Sequence, residues 1–531
     1  MENKKPNILL ITTDQQRYDT IHAAGYPHMI TPNLDRLCDE GCRFTRAYSP
    51  NPVCLPARHN LITGLSAKHH TFDDNYFDDS HQIPQQLPTF AQKLSDAGYD
   101  AIAVGKMHFQ PYRRHNGFTR LYLMDEIPRY REDDDYAVYL KNNGYDWLQS
   151  LHGVRHILYM QPQQSLVDIE HHGSTWVADK VIDYLKTKSK DKPFLIWAGF
   201  IAPHPPFDVP REYAHLYDNK ELPLPTKSKT SLCTTALDNQ DIADYPDEKV
   251  LMRARQLYCS SITFVDHQIG RMLKQLENMG ELDNTFILFT SDHGEMLGDL
   301  GTYQKFLPYD ASARIPMIVR YPQLVKAGSV NNAFVDLNDI FPTFMDVCGL
   351  QMPKNYDYPG DSLFGNNKDR SVQYIEHQHD SRRWVSLVSE RYKYNYFYGG
   401  AREELFDLLV DPEETDNLME SIPESVKGVR DQLKVKLVEL EARYGLPRMV
   451  KNGDFRKLPP FNPRFDREKN LPFFPKHLNN QAEIDALMSL EQEAALAIKD
   501  EPLVQLERMD LSAYEGLIDL EKVKDLVKKI R

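Results

Sequence analysis

The strongest constraint on the fold is a set of short segments built almost wholly from apolar and β-branched residues. Four of them span residues 7–13, 100–104, 193–200 and 285–290. Such runs are typical of strands that are buried on both faces of a sheet. Helical patterns precede the last three strands, near residues 87–97, 176–186 and 253–279. This alternation predicts an α/β fold with a large, mainly parallel sheet sandwiched by helices.

Polar residues follow each of these four strands at its carboxyl end. They are Asp14, Lys106, His108, His204, Asp292 and His293. In open parallel α/β sheets, the carboxyl ends of the strands line the ligand crevice. We therefore expect these side chains to converge in space, although the sequence scatters them widely.

The pattern changes after residue 360. Three predicted strands at 372–375, 384–389 and 392–397 follow one another without intervening helices. A helix with one apolar stripe is then predicted from about residue 424 to residue 444. This part of the chain is therefore expected to form a small antiparallel sheet packed against a helix.

These patterns predict three regions. Residues 1–365 form the large α/β domain, and residues 366–445 form the smaller antiparallel-sheet subdomain. Residues 446–531 form a C-terminal extension that is partly helical, around 482–498. We expect this extension to wrap the core or to contact a neighbouring subunit, which would allow a homo-oligomer.

Composition excludes some classes of partner. The formal net charge of −14 argues against a nucleic-acid binder, which normally has a basic surface. The longest apolar run near a strand, residues 194–202, is far too short to span a bilayer, so no membrane partner is expected. Residues 1–14 show no apolar core of signal-peptide length. We expect a cytoplasmic protein, or a periplasmic one if a leader has been trimmed.

Four of the residues at strand ends are suited to binding a metal. Asp14, Gln15, Asp292 and His293 offer hard oxygen atoms and one imidazole. Carboxylates and a side-chain carbonyl suit Ca²⁺, Mg²⁺ or Mn²⁺, whereas zinc prefers more His or Cys ligands. A single Asp at a strand end is more often a helix cap, but two such ends in one chain favour a divalent-metal site.

A cysteine is predicted at the start of a helix within residues 49–64. Prolines keep the approach extended, and Pro56 suits the first helical turn. Unpaired backbone N–H groups and the helix dipole favour a bound anion beside Cys54. Arg58 is four residues further on and shares its face of the helix. Taken alone, this pair indicates a buried cysteine next to a surface arginine.

The whole string is more specific than the pair. Cys-x-Pro-x-Arg followed by Leu-Ile-Thr-Gly resembles the signature of the type I sulfatases, which have the alkaline-phosphatase-like fold. Four further motifs in the family's order support the resemblance, at residues 31–37, 203–207, 290–295 and 407–414. The resemblance runs from about residue 6 to residue 418, and we recognise nothing beyond about residue 445.

The resemblance implies a modified residue and a metal. Cys54 would be oxidised to formylglycine by a formylglycine-generating enzyme, and the hydrated aldehyde would attack sulfur. Asp292 would accept the proton of the attacking hydroxyl. One divalent metal, most often Ca²⁺ with Mg²⁺ or Mn²⁺ as alternatives, would be held by Asp14, Gln15, Cys54, Asp292 and His293.

The resemblance also gives roles to the cationic residues. Arg58 would hold the hydrated formylglycine, and Lys106 with His204 and Lys305 would grip the sulfate oxygens. His204 or Lys305 would protonate the leaving oxygen. His108 would be the base that lets sulfate leave and the aldehyde return.

Two other functions remain open at this point. Phosphonate monoester and phosphodiester hydrolases share the formylglycine and the metal residues. Their corresponding turn carries neutral hydroxyl side chains where this chain has Lys106 and His108, which favours sulfate. A non-catalytic anion-binding homologue would be signalled by loss of Cys54, Arg58 or a metal carboxylate, and all of these are present.

The organic part of the substrate is less constrained. Polar residues in loops that could border the cleft are His69, His70, Asp73, Asp74, Asn75, His377, His379, Arg382 and Arg383. For each of them alone, a plain surface role is favoured. Together they suit a small sulfated sugar or oligosaccharide better than a flat aryl sulfate, by analogy with the family.

Overall fold

The computed structural model describes residues 4–76, 80–128, 130–146, 148, 150–153, 162–233, 248–365 and 370–461. The helix predicted around 482–498 lies outside the described residues, as does most of the predicted C-terminal extension. Residues 366–369, at the start of the predicted subdomain, also lie outside them, so the predicted boundaries stay predictions.

The strands are numbered in chain order. They are β1 (Asn7–Asp14), β2 (Cys42–Tyr48), β3 (Asp100–Gly105), β4 (Arg120–Leu123), β5 (Pro162–Gln164), β6 (Phe194–Pro203), β7 (Phe207–Val209), β8 (Thr285–Ser291), β9 (Arg314–Arg320), β10 (Ser329–Asp336), β11 (Val372–His377), β12 (Trp384–Ser389), β13 (Tyr392–Phe397), β14 (Arg402–Asp407), β15 (Val450–Lys451) and β16 (Asp454–Phe455).

The α-helices are numbered in the same way. They are α1 (Pro32–Glu40), α2 (Cys54–Thr63), α3 (Ala67–His70), α4 (Phe90–Asp96), α5 (Asp135–Asn142), α6 (Gly173–Thr187), α7 (Glu248–Asn278), α8 (Asp310–Ala313), α9 (Ile340–Val347) and α10 (Glu424–Tyr444). Among the described helices, none combines the length and apolar character that crossing a bilayer requires.

The large sheet confirms the predicted α/β architecture. Its eight strands lie in the order β10-β2-β9-β8-β1-β6-β3-β4. Strand β1 is central and pairs in parallel with β6 and β8, and β3 pairs in parallel with β6 and β4. Only β9 runs antiparallel within this sheet, between β2 and β8. The sheet is therefore mainly parallel, as the apolar segments predict.

Each face of the large sheet has its own core. Alternate residues of β1 point to opposite faces, so Leu9 and Ile11 join one apolar cluster while Ile8 and Leu10 join the other. All four side chains are fully buried. This two-sided burial explains why the central strands read as continuous apolar runs.

One helix begins later than the sequence predicts. The pattern predicts a helix over residues 87–97, but α4 begins at Phe90. Thr89 is the N-cap, and its side chain accepts a hydrogen bond from the backbone N–H of Gln92 at 3.0 Å. Pro88 precedes this cap, which explains the later start, since proline disfavours a helical conformation in the residue before it.

The second sheet is small and antiparallel, in the order β11-β12-β13-β14. Strands β12 and β13 and helix α10 have the bounds that the sequence predicts. Leu437 of α10 belongs to the same buried apolar cluster as Val385 and Leu405 of this sheet. The predicted combination of an antiparallel sheet and one helix is therefore confirmed.

A buried ion-pair network fastens α10 to the small sheet. The Arg383 guanidinium, fully buried, contacts Glu376 at 2.7 Å and Glu441 of α10 at 2.9 Å. Tyr398 also donates a hydrogen bond to Glu441, at 2.9 Å. Arg383 was among the residues expected to border a sugar site, but these contacts place it inside the subdomain.

Substituting Arg383 tests this network. Arg383→Met should lower the free energy of unfolding by about 3–5 kcal/mol, because Glu376 and Glu441 would be left as unpaired buried charges. Arg382→Met is the matched control, since its pair with Asp380 is partly exposed to solvent and should contribute less than about 1 kcal/mol. Urea denaturation followed by circular dichroism measures both, and equal losses would contradict the structural role.

Candidate active site

The predicted convergence of strand ends is observed. Strands β8, β1, β6 and β3 are consecutive neighbours in the sheet and run in the same direction. Their carboxyl ends deliver Asp14, Lys106, His204 and Asp292 to one edge. These side chains are at most 3% exposed, so they form a buried polar cluster. The parallel sheet thus assembles groups that lie far apart in the sequence.

Cys54 is the first residue of α2, as predicted. The helix ends before Gly64, whose φ of 67° is left-handed and whose N–H donates to the Asn60 carbonyl. The Cys54 Sγ is buried and lies 3.2 Å from the Nε2 atom of His293. Burial, together with the Asp14 carboxylate, raises the pKa of the Cys54 thiol to about 12. An unmodified Cys54 is therefore a neutral thiol and not a thiolate nucleophile.

Four side chains form a compact group that fits a cation. One ligand atom each from Asp14, Cys54, Asp292 and His293 lies within 4.8 Å of the others. The His293 Nδ1 atom contacts the Gly294 carbonyl at 3.0 Å, and a carbonyl only accepts, so Nδ1 carries the proton. The Nε2 lone pair therefore faces the group. Two carboxylates and one imidazole nitrogen match the donors that a divalent cation needs.

Arg58 is held by the carboxylates of this group. Its Nε atom donates to Asp292 at 2.9 Å, and its Nη2 atom lies 3.4 Å from an Asp14 oxygen. Its Nη1 atom donates to the Lys106 carbonyl at 2.6 Å. Burial alone would raise the pKa of Asp292, but neighbouring positive charges, Arg58 among them, outweigh burial and hold this pKa below its usual value. Arg58 is thus fixed against both predicted metal carboxylates.

Lys106 follows a turn whose backbone conformation requires glycine. Gly105 ends β3 with a φ of 89°, and a Cβ there would lie 2.0 Å from the Gly199 carbonyl oxygen. The Lys106 Nζ then pairs with the carboxylates of Asp14 and Glu126. Burial alone would lower the pKa of Lys106, but these carboxylates raise it well above its usual value. Lys106 is therefore a fixed buried cation.

Lys305 lies on the other side of the cluster. Its Nζ donates to the Gln15 Oε1 atom and to the His204 Nε2 atom, both at 2.8 Å. His204 Nδ1 lies 2.6 Å from the Pro205 carbonyl and must donate to it, so Nε2 is free of a proton and can accept. Lys305, the residue least constrained by the sequence, is thus brought into the site together with His204.

Gln15 lies beside the four side chains that fit a cation and contacts one of them, Asp292, through its backbone. Its backbone has a left-handed φ of 68°, a strained conformation that is typical of functional sites. Its backbone N–H donates to Asp292 Oδ1 at 3.1 Å. Its side chain bridges Lys305 and the Glu295 carboxylate. The structure therefore places Gln15 beside the group, and its role as a metal ligand stays a prediction.

His108 also reaches the site. One of its ring nitrogens lies within 4.8 Å of both the Cys54 Sγ and a Glu126 carboxylate oxygen. Burial lowers the pKa of His108 well below its usual value, and the Lys106 ammonium lowers it further. The imidazole is therefore neutral near pH 7 and able to accept a proton.

Two acidic residues of the site were not singled out in the sequence. Glu295 is fully buried and accepts hydrogen bonds from Gln15 and from the Leu297 N–H. Glu126 follows β4, which is parallel to β3, so its strand ends at the same edge of the sheet. The rule that locates Lys106 would have located Glu126 if β4 had been predicted. Strand β4 has only four residues, too few to show a recognisable strand pattern.

A polar rim links the small sheet to the start of α2. The Asp73 carboxylate accepts a hydrogen bond from Tyr76 at 2.5 Å and contacts His379 at 3.3 Å. The Asn75 side chain accepts from the Leu55 N–H at 3.0 Å, directly beside Cys54. His379 is exposed for nearly half of its side chain. The rim therefore presents hydrogen-bonding groups to solvent close to the buried cluster.

Removal of a divalent cation should destabilise the protein. Chelation leaves Asp14 and Asp292 with less compensating charge, so the thermal midpoint should fall. Adding Ca²⁺ back at about 100 times its Kd should restore about 2.7 kcal/mol by mass action. Differential scanning calorimetry with and without chelator measures the shift.

The matched control for this experiment uses two asparagine variants. Asp292→Asn removes a predicted metal ligand and should reduce the Ca²⁺-induced shift strongly. Asp431→Asn removes an exposed carboxylate on α10 and should leave the shift unchanged. Equal shifts in the two variants would show that the cation does not bind at this group.

Sequence profiles identify the chain by two overlapping matches. The profile of the sulfatase family matches residues 6–350, more than half of the chain. A profile described as N-sulphoglucosamine sulphohydrolase, C-terminal, matches residues 298–443. The two matches together include the buried cluster and the small sheet.

Similar proteins are found among curated sequences and solved structures. An arylsulfatase of Clostridium perfringens is 32% identical over 486 residues, covering 83% of this chain and 95% of that protein. An N-acetylglucosamine-6-O-sulfatase of Bacteroides thetaiotaomicron is 27% identical over 496 residues, covering 78% and 83%.

Solved structures show the same fold at lower sequence identity. A phosphonate monoester hydrolase of Agrobacterium radiobacter has a TM-score of 0.70 at 24% identity, covering 83% of this chain and 96% of that one. A protein in complex with its substrate D-glucosamine-2-N,6-O-disulfate has a TM-score of 0.66 at 22% identity, covering 83% and 98%. The family profile and the relative at 32% identity establish that the chain belongs to the sulfatase family, within the alkaline-phosphatase-like superfamily, and is a hydrolase of sulfate esters.

Proposed function

We propose that this sulfatase removes sulfate from a carbohydrate, with Ca²⁺ as its metal and formylglycine at position 54. The observation that carries the proposal is the buried cluster in which Lys106, His204 and His108 surround Cys54 and its neighbouring carboxylates. Such preorganised donors in a site shielded from water suit the transfer of an anionic group.

We assign separate catalytic roles to the residues around position 54. The hydrated aldehyde would supply the attacking hydroxyl, and the metal would polarise a sulfate oxygen. Asp292 lies within 4.8 Å of the Cys54 Sγ, a distance that supports its proposed role as acceptor of the proton of that hydroxyl. Arg58, fixed by Asp14 and Asp292, keeps both carboxylates oriented. Lys106 would bind the sulfate group at the Asp14 side of the site.

Proton transfer after the attack would involve two histidines. Lys305 donates to the unprotonated Nε2 of His204, so the pair holds a proton at the position from which a leaving oxygen can be protonated. His108 is neutral, because burial and Lys106 lower its pKa, and can act as the base that completes turnover. These roles extend the sequence-based predictions with the contacts that make each of them feasible.

Sulfate is favoured over phosphonate as the transferred group. Lys106 and His108, the two residues that separated these alternatives in the sequence, both lie in the buried cluster. The likeness to phosphonate monoester hydrolases concerns the fold, since identity is 24%. A weak side activity on phosphodiesters is compatible with the same cations.

The rim supports a polar organic group. Asp73, Tyr76 and His379 offer a carboxylate, a hydroxyl and an imidazole in the rim, which suit the hydroxyls of a sugar. The relative from Bacteroides thetaiotaomicron is described as acting on N-acetylglucosamine 6-O-sulfate groups. Calcium is the proposed metal because two of the four ligand atoms are hard carboxylate oxygens, and formylglycine at position 54 would supply a further oxygen. The cytoplasmic location and a homo-oligomer contact through the C-terminal extension stay predictions.

A substrate panel tests the proposed function. Protein converted at position 54 should hydrolyse sulfated monosaccharides with a higher kcat/KM than 4-nitrophenyl sulfate, and both with a higher kcat/KM than a phosphonate monoester. Cys54→Ala should lose activity on every ester, because it removes the nucleophile. Converted protein that prefers the phosphonate would move the assignment to the related hydrolases.

A rim variant tests the carbohydrate part alone. His379→Ala should raise KM for the best sulfated sugar by about tenfold, the effect of one lost hydrogen bond to a charged or polar group, and leave KM for 4-nitrophenyl sulfate unchanged. His215→Ala is the matched control, because His215 forms an exposed pair with Asp218 outside the rim. An equal rise for both substrates would show that His379 does not contact the sugar.

A further inference from the structure

Glu126 is a carboxylate placed among groups that should bind an anion. It follows β4, and its side chain is 9% exposed. One carboxylate oxygen pairs with the Lys106 ammonium, and the other lies 3.5 Å from the Nε2 atom of His204. Lys106 and His204 are both predicted to bind the sulfate group. An acidic residue at this position is unexpected, since it repels the ligand that its neighbours attract.

Glu126 is also close to the point of reaction. A carboxylate oxygen of Glu126 lies within 4.8 Å of the Cys54 Sγ. A sulfate group that is attacked from position 54 and held by Lys106 and His204 must therefore come within a few ångströms of Glu126. The carboxylate acts on the reacting anion directly, through the short distance between them.

Glu126 is not needed to neutralise Lys106. The Lys106 ammonium already pairs with Asp14, and Arg58 contacts both Asp14 and Asp292. Removing one carboxylate would leave the site more positive and a better binder of anions in general. The presence of Glu126 therefore weakens anion binding, and the size of this effect depends on the charge of the anion.

We propose that Glu126 is a specificity-determining residue that makes the site select anions by their charge. A sulfate monoester carries one negative charge, whereas a phosphate monoester above its second pKa of about 6 carries two. Coulomb repulsion from Glu126 is about twice as large for the doubly charged anion. Inorganic sulfate, the product, also carries two charges, so the same residue favours its release. This inference rests on sulfate-ester hydrolysis at this site.

The decisive variant is Glu126→Gln, which keeps the size and an oxygen that can accept from Lys106 but removes the charge. At pH 8 it should raise the ratio of kcat/KM for 4-nitrophenyl phosphate to kcat/KM for 4-nitrophenyl sulfate by about tenfold or more. The ratio for bis(4-nitrophenyl) phosphate, a singly charged diester, to 4-nitrophenyl sulfate should stay within about threefold of wild type. Glu126→Asp keeps the charge and should keep both ratios.

A binding measurement separates this inference from the proposed function. Isothermal titration calorimetry should show that Glu126→Gln binds inorganic sulfate about tenfold more tightly, and methyl sulfate, a singly charged ester, with a smaller gain. This comparison holds even if wild-type protein hydrolyses no sulfate ester, a result that would overturn the proposed function alone.

Three results would overturn the inference. The first is an unchanged preference between doubly and singly charged anions in Glu126→Gln. The second is an equal gain for 4-nitrophenyl phosphate and for the diester, which would indicate a change of shape and not of charge. The third is loss of bound metal from the variant, since Glu126, Cys54 and His108 could then be ligands of a cation.

Discussion

The contact on which the site depends is the pairing of buried carboxylates with buried cations. Asp14 and Asp292 lie at neighbouring strand ends, where two negative charges repel each other in a medium of low dielectric constant. Arg58 contacts both, and Lys106 contacts Asp14. Removing Arg58 would take the arginine partner from the buried Asp292 carboxylate, which is strongly destabilising. The buried charges therefore depend on one another, and the divalent cation of the sulfatase family would add further positive charge to the cluster.

The fold makes this cluster possible because its framework is rigid. Four parallel strands with apolar cores on both faces fix the directions of their carboxyl ends, and helix α2 adds position 54 at its first turn. The small sheet contacts the segments that carry Lys305 and Cys54. The Trp384 indole donates to the Phe306 carbonyl, and the Glu376 N–H donates to the Pro50 carbonyl. Most of the reactive groups thus lie at strand ends or on a helix, and the groups proposed to meet the sugar lie on loops.

The sequence predicts the parts of this architecture that have strong local patterns. Fully apolar strands and the apolar stripe of α10 can be recognised because burial on two faces or on one face imposes a simple period. Strands β2, β9 and β10 at one end of the sheet were not predicted, because polar residues interrupt β2 and β10 and Pro316 interrupts β9. Glu126 was missed with β4 for a related reason, since its position depends on a four-residue strand. Contacts such as that between Lys305 and His204 depend on tertiary structure. The sequence therefore indicates them only through the family resemblance.

Peptide mass spectrometry across position 54, on protein preparations that differ in specific activity, measures whether the nucleophile is a modified residue. Burial raises the pKa of the unmodified Cys54 thiol to about 12, and the family resemblance assigns the attack on sulfur to formylglycine. We therefore expect an aldehyde at position 54 whose fraction rises in proportion to sulfate-ester activity. Full activity in protein that carries only the unmodified thiol would contradict the account.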